Sequence, residues 1–184
     1  MSIKKVKMHL HNVLKHKWYV FIIAIRAGIP IRGFFHDMSK FSYTEFFESA
    51  KNIESTTFSP IKSTYKKKGY SKAWLHHRGH NKHHAEYWYD EFAPIKSPLI
   101  PYPYVVEMIC DKLAASIVYM GKNWSIQKEI DYLLSSDERP LLNEKTFQFI
   151  ITIMEEIKKT SIQETIFPQN LKKKYQEICV EERK

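Results

Sequence analysis

With 184 residues, a hydrophobic fraction of 43% and an aromatic fraction of 14%, the chain can bury a sizeable core and is too apolar for a disordered segment. Five glycines and eight prolines leave little room for long linkers, and two cysteines, Cys110 and Cys179, exclude a disulfide framework or a thiolate metal cage and read as reduced and buried. The formal charge of +9, from 29 Lys and Arg against 20 Asp and Glu, favours anionic partners without choosing among phosphates, nucleic acids and anionic membranes.

Residues 3–27 have helical periodicity, and Gly28 with Pro30 just beyond supplies a helix stop. The apolar run "WYVFIIAI" inside this helix is eight residues long, well short of the roughly 20 that span a bilayer. No small-residue cleavage site follows it, so the expectation is a cytoplasmic protein with no membrane partner. "IPIRGFFHDMSKF" then leads into a helix at "SYTEFFESAK", where Ser42 and Glu45 have the capping-box spacing. Residues 52–69 mix polar residues with Pro60 and a lysine run, and read as a long loop forming a rim or lid. A helix resumes near Tyr70 and carries "AWLHHRGHNKHHAEYW", which holds five of the nine histidines. Gly79 and Asn81 are poor mid-helix residues and should loosen that helix between His77 and His83.

Pro94, Pro98, Pro101 and Pro103 enforce a non-helical crossing. "YVVEMICDKLAASIVYMGK" is the clearest helix in the chain and ends at Gly121. Ser125 caps a short helix, Asn143 caps a longer one through Lys159, and Pro168 stands near the start of a last amphipathic helix. No stretch alternates with period two for long and no internal repeat is present. The expected fold is therefore all-α, a single-domain helical bundle of about seven helices. Residues 1–122 carry the site-bearing core, and residues 123–184 pack on it as part of the same domain or as a small appendage.

Four side chains outside the histidine-rich segment have ligand chemistry: His16, the adjacent His36 and Asp37, and Asp111. Met108, Ala115 and Val118 lie near the face of Asp111, which points that carboxylate inward, where charge is costly unless paired or metal-bound. Imidazole with carboxylate suits Mn, Fe, Zn, Ni or Mg. His36 and Asp37 can face one ion if the backbone turns there, and Gly33 upstream with Ser39 and Ser42 downstream permits a turn. On an ideal helix His77, His80 and His84 share one side, and His76, His80 and His83 an adjacent one.

The ordered set of one His, then His-Asp, then further histidines, then Asp resembles the HD-domain metal-dependent phosphohydrolases. "HDMSKF" followed by "YTEF" is similar to that family's HD-x-[GS]-K stretch, and "EMICDKLAA" to its final aspartate helix. The whole order is similar to the binuclear HD-GYP type, although the GYP signature is missing. "HDMSKFSYTEF", "AWLHHRGHNKHHAEYW" and "EMICD" also resemble the blocks of a small uncharacterised family of bacterial and phage proteins, over residues 15–122. That pattern keeps the positions of His77, Asn81, His83, His84 and Glu86, but not those of His76 or His80.

The HD resemblance implies that His16, His36, Asp37 and Asp111 hold one divalent ion (Mn, Fe, Ni, Co, Zn or Mg). His77, His83 and His84 then hold a second ion, contact phosphate or protonate a leaving group. Catalysis falls to Asp37, Lys40 and His77: metal-activated water attacks a phosphoester, with Lys40 stabilising the phosphoryl oxygens. The implied substrate is a nucleotide or another small phosphorylated molecule, and the basic charge admits nucleic acid. Two further classes share these residues: a di-iron HD-type oxygenase, and a non-catalytic, metal-stabilised protein that binds nucleic acid or a partner. His9, His11, His76, His80, Arg78 and Lys82 are expected at the surface. Trp74, Tyr87 and Trp88 are expected in the core, or as a pocket wall that stacks on a nucleobase. No feature of the sequence sets an oligomeric state.

Overall fold

A computed structural model describes residues 2–180 of the chain. Helix α1 (Ile3–Arg26) starts where Ser2 Oγ accepts from the Lys5 amide, and ends where Gly28 takes a positive φ of 78°. Gly28 is needed twice over, because a Cβ there would lie 2.6 Å from Cγ of Pro168. Then come α2 (Pro30–Phe35), a 3-10 turn (Met38–Phe41), α3 (Tyr43–Asn52), α4 (Pro60–Lys68), α5 (Lys72–His80) and α6 (Ala85–Trp88). The second half holds α7 (Tyr102–Met120), α8 (Ile126–Ser135), α9 (Glu144–Lys159), α10 (Ile162–Thr165) and α11 (Pro168–Tyr175). A final π turn runs over Gln176–Val180.

The fold is all-α, but the described residues form eleven α-helices where about seven were expected. The four extra ones are α2, α4, α6 and α10. Three of these have six residues or fewer, too short for a 3.6-residue period to register. The fourth, α4, corrects the expected loop over residues 52–69. Its buried face is Pro60, Ser63 and Thr64 rather than an apolar stripe. Its ends still carry helix chemistry, with Pro60 at the first position and Gly69 left-handed at φ 75°.

The caps at Ser125 and Asn143 form as expected, their side chains accepting from the Lys128 and Lys145 amides. Ser42 Oγ accepts from the Glu45 amide, but the reciprocal arm of a capping box is missing because the Glu45 carboxylate is engaged elsewhere. The proline crossing ends at Pro101, since Pro103 sits in the first turn of α7, where a missing N–H costs nothing.

α7 runs through the core. Its Val105, Val106, Ile109 and Leu113 share one buried cluster with Val20 and Ala24 of α1, Phe149 and Ile153 of α9, and Leu171 of α11. α1 lies against α2, α3 and α7, and α3 lies against α5, which brings the histidine- and carboxylate-bearing segments together alongside α1. Gly33 makes the α1–α2 contact: a Cβ there would lie 2.4 Å from Cβ of Ala24. Cys110 and Cys179 are buried free thiols. Among the described residues, no helix is long and apolar enough to cross a membrane.

Candidate metal centre

His16 projects from the middle of α1, and His36 is the residue that ends α2. The turn after His36 is made by Asp37 itself, at φ 52° and ψ 32°, and not by Gly33, which is a packing residue inside α2. This left-handed region is disfavoured for side chains in general and tolerated best by Asn and Asp. With Asp111 on α7, these residues form a tight set. His16 Nε2 lies 3.0 Å from Asp111 Oδ1 and 3.3 Å from His36 Nε2, which lies 3.2 Å from Asp37 Oδ2.

The second set comes from the histidine-rich segment. α5 stops at His80, Asn81 is extended, and the short turn to α6 presents His83 and His84 beside His77. His77 Nε2 and His83 Nε2 each lie 3.4 Å from Asp37 Oδ1. Asp37 therefore divides its two oxygens, Oδ1 toward His77 and His83 and Oδ2 toward His36. Two four-residue groups, His16–His36–Asp37–Asp111 and Asp37–His77–His83–His84, have the donor atoms to hold a metal ion and share Asp37.

Outer carboxylates set the direction of the rings. His36 Nδ1 and His83 Nδ1 lie 3.1 and 3.3 Å from Glu107 Oε1, and His77 Nδ1 lies 2.8 Å from Glu45 Oε2. An Nδ1–H donated to a carboxylate makes Nε2 the ligating atom, and all three Nε2 atoms face Asp37; in His36, whose pKa is raised, an ion would have to displace the Nε2 proton. Arg32 Nε donates to the other Glu107 oxygen at 2.8 Å. His36, His83 and Glu107 also cluster closely enough to be ligands. There, however, a cation would sit beside the Arg32 guanidinium, so Glu107 is better read as support for the two rings.

The electrostatics fit cation-binding groups. Burial opposes charge on Asp37, but His36, Lys40 and His77 outweigh it and hold its carboxyl well below the ordinary range. Asp111 is likewise held down, against burial, by His16 and His36. Burial, followed by Lys40, lowers His16 to about 4, while burial and the neighbouring His83 and His77 push His84 well down. Those two imidazoles are neutral near pH 7, the form that ligates metals. For His36 burial is outweighed by Asp37, Asp111 and Glu107, which push it well above 6.5. Asp37 Oδ1, His83 Nε2 and His84 Nε2 are buried without a hydrogen-bond partner. Each such atom costs about 1–3 kcal/mol if left so, and three converging on one point is a donor set fitted to an ion.

All seven expected ligands thus meet, and both His83 and His84 belong to the set. Lys40 reaches back along the 3-10 turn to pair with Asp37 Oδ2 at 2.5 Å. The site opens into a cavity of about 150 Å³ walled by α1, α3, α5, α7 and the start of α4. Ser59, Pro60 and Ile61 belong to that wall, so the segment expected to be a loop borders the site as the start of a helix.

Four surface or core expectations need restating. His9 is 5% exposed and lines the cavity, because it stands seven residues before His16 on the same stripe of α1. His76 is half-buried and bonded to Glu45 at 2.7 Å, whereas His80 and His11 are exposed. Trp74 lines the cavity, stacked on His77 at 5.8 Å and edge-on to His84 at 5.1 Å. Tyr87 is exposed and Trp88 packs on Tyr104, so both lie away from the cavity. Sequence reasoning passed over Glu45 and Glu107. Glu107 had a signal, standing four residues before Asp111 and so on the same helix face; Glu45 had none beyond its place in the cap.

The fold and site together define an all-α protein with a buried cluster of histidines and carboxylates able to hold metal. The chain belongs to the Family of unknown function (DUF5662), whose model matches residues 5–156 and so spans every residue of this site. No curated protein and no solved structure matches the chain.

Proposed function

We propose that the chain is an HD-like, metal-dependent phosphoric ester hydrolase acting on a small phosphorylated substrate, with two divalent ions sharing Asp37. The observation that supports it most directly is the division of the two Asp37 oxygens between two imidazole sets, with Lys40 beside it at the cavity. The cavity wall carries three carboxylates, Asp37, Glu45 and Asp111, against one lysine. An anionic substrate is repelled by such a wall unless cations reverse its sign.

When bound, the ions supply Lewis acidity toward a phosphoryl oxygen and lower the pKa of water at the site. The protein's own groups do the rest. Glu45 and Glu107 fix the rings of His77, His36 and His83, so the site is organised before substrate arrives. Lys40 offers its ammonium to a phosphoryl oxygen, which competes with Asp37 Oδ2 for it. His84, neutral and at the cavity wall, stands where it can ligate.

The test is a panel of phosphoesters assayed with Mn, Fe, Co, Ni, Zn and Mg. Metal-dependent turnover is expected, lost in Asp37→Asn and lowered about a hundredfold in Lys40→Met with metal content retained. No turnover of any member by protein shown to hold metal would overturn the proposal. Two irons with an O₂-dependent spectral change would point instead to the di-iron oxygenase that uses the same ligands.

A further inference from the structure

The cavity extends along α1 beyond the metal-ligand cluster, and its far end has a chemistry of its own. His9 and His16 are seven residues apart on one helix, so the imidazole of His9 stands roughly 10 Å up the same stripe. It packs against Phe46 at 5.1 Å, is buried, and its Nε2 has no hydrogen-bond partner although the ring borders the cavity. Asn12, Ser49, Ser59 and Tyr119 line the cavity with it. These are hydrogen-bonding groups without charge, and Lys40 is the single basic residue other than histidine among the lining side chains. Burial, then the nearby Lys40, lowers His9 to about 4, so at neutral pH its ring offers one donor and one acceptor.

That lining selects among phosphorylated molecules. A second phosphate or a carboxylate at the far end would be buried with only Lys40 near it, and that ammonium is already paired with Asp37. A nucleobase needs a free aromatic face and more room. Trp74 already spends its ring on His77 and His84, which leaves Tyr119 alone among the lining tyrosines and tryptophans for stacking, and about 150 Å³ is below the roughly 300–1,000 Å³ of pockets that take drug-sized ligands. The unpartnered Nε2 either donates or accepts according to the tautomer, and a hydroxyl can answer either.

Resting on the hydrolase reading, we propose that the substrate is a short polyol or sugar phosphomonoester rather than a nucleotide, and that His9 is the specificity residue that hydrogen-bonds its distal hydroxyl. The phosphoryl group lies at the metal cluster and Lys40, and the hydroxylated body lies along α1 toward Nε2 of His9.

The test reads binding apart from turnover, using probes that phosphatase chemistry cannot cleave. Inorganic phosphate, 3,4-dihydroxybutylphosphonate and an adenosine 5′-phosphonate are titrated calorimetrically under nitrogen into manganese-loaded protein. The dihydroxy probe is expected to bind roughly tenfold tighter than phosphate, and the adenosine probe no tighter than phosphate. In His9→Leu that advantage should largely vanish, while His9→Gln, with an amide nitrogen near the position of Nε2, should keep part of it. No gain of the dihydroxy probe over phosphate in the wild type, tightest binding by the adenosine probe, or an undiminished gain in folded His9→Leu each overturns the proposal. The wild-type comparison stands even if His9→Leu fails to fold. Phosphate bound without preference leaves the hydrolase reading intact and removes only this one. Metal-loaded protein that binds no phosphate removes both.

Discussion

Glu107 is the residue through which the two candidate metal groups depend on each other. Its Oε1 accepts from Nδ1 of His36, which serves one group, and lies 3.3 Å from Nδ1 of His83, which serves the other. Glu107→Gln keeps the shape and removes the charge, weakening both ring anchors and leaving Arg32 without its carboxylate. Loss of such an outer partner costs about 10–100-fold in metal affinity, or about 1.4–2.7 kcal/mol. Here the loss should fall on both ions. Glu45→Gln is the control, because Glu45 supports His77 and so the second group alone. Competition with a chromophoric chelator, followed by metal analysis, should show two weakened sites in Glu107→Gln and one in Glu45→Gln. Equal behaviour of the two variants, or two unweakened sites in folded Glu107→Gln, would refute the assignment of Glu107 as shared support.

Three other outcomes follow from the same geometry. Gly33→Ala drives a methyl to 2.4 Å from the Ala24 methyl, so α2 must shift against α1 at a cost of about 1–3 kcal/mol, read by urea denaturation. Because α2 delivers His36, the same variant should also hold metal more weakly. In chelator, stability should fall between pH 6.5 and about 4, because His9 and His16 stay neutral in the fold while the unfolded chain takes up protons at 6.5. Each adds a slope of up to about 1.4 kcal/mol per pH unit over that window; the His9 share should be missing in His9→Leu, and a flat profile would contradict the burial of these rings. Finally, loading at a hundredfold excess over the dissociation constant should add about 2.7 kcal/mol per site, seen as a higher Tm that Asp37→Asn loses.

The helices with caps and apolar stripes were legible from the chain: α1, α3, α7, α8 and α9 stand where Gly28, Ser42, Gly121, Ser125 and Asn143 put their ends. α4 was missed because its sheltered face is Ser63 and Thr64, and no hydrophobic period marks a face made of small polar groups. The break between His77 and His83 was also legible, although it falls at Asn81 and Gly79 stays inside α5; it lets His83 and His84 both turn inward. The left-handed Asp37 was not legible, since the dipeptide says nothing of φ. His9 was placed at the surface because no motif surrounds it, although its seven-residue offset from His16 was in plain view.

The site's ligands come from α1, the end of α2, α5, the turn before α6 and α7, from His16 to Asp111. Apart from α5 and the adjoining turn before α6, these segments meet on the cavity only once the long-range packing around α1 exists. Ions that need this convergence find little to hold in a partly folded chain, and bind after the rate-limiting packing step. Metal should therefore leave the refolding rate nearly unchanged and act on the unfolding rate, prolonging the lifetime of the native state. The ions would behave as late rivets between segments as far apart as His16 and Asp111, and their loss would show first as faster opening of the α1–α7 seam.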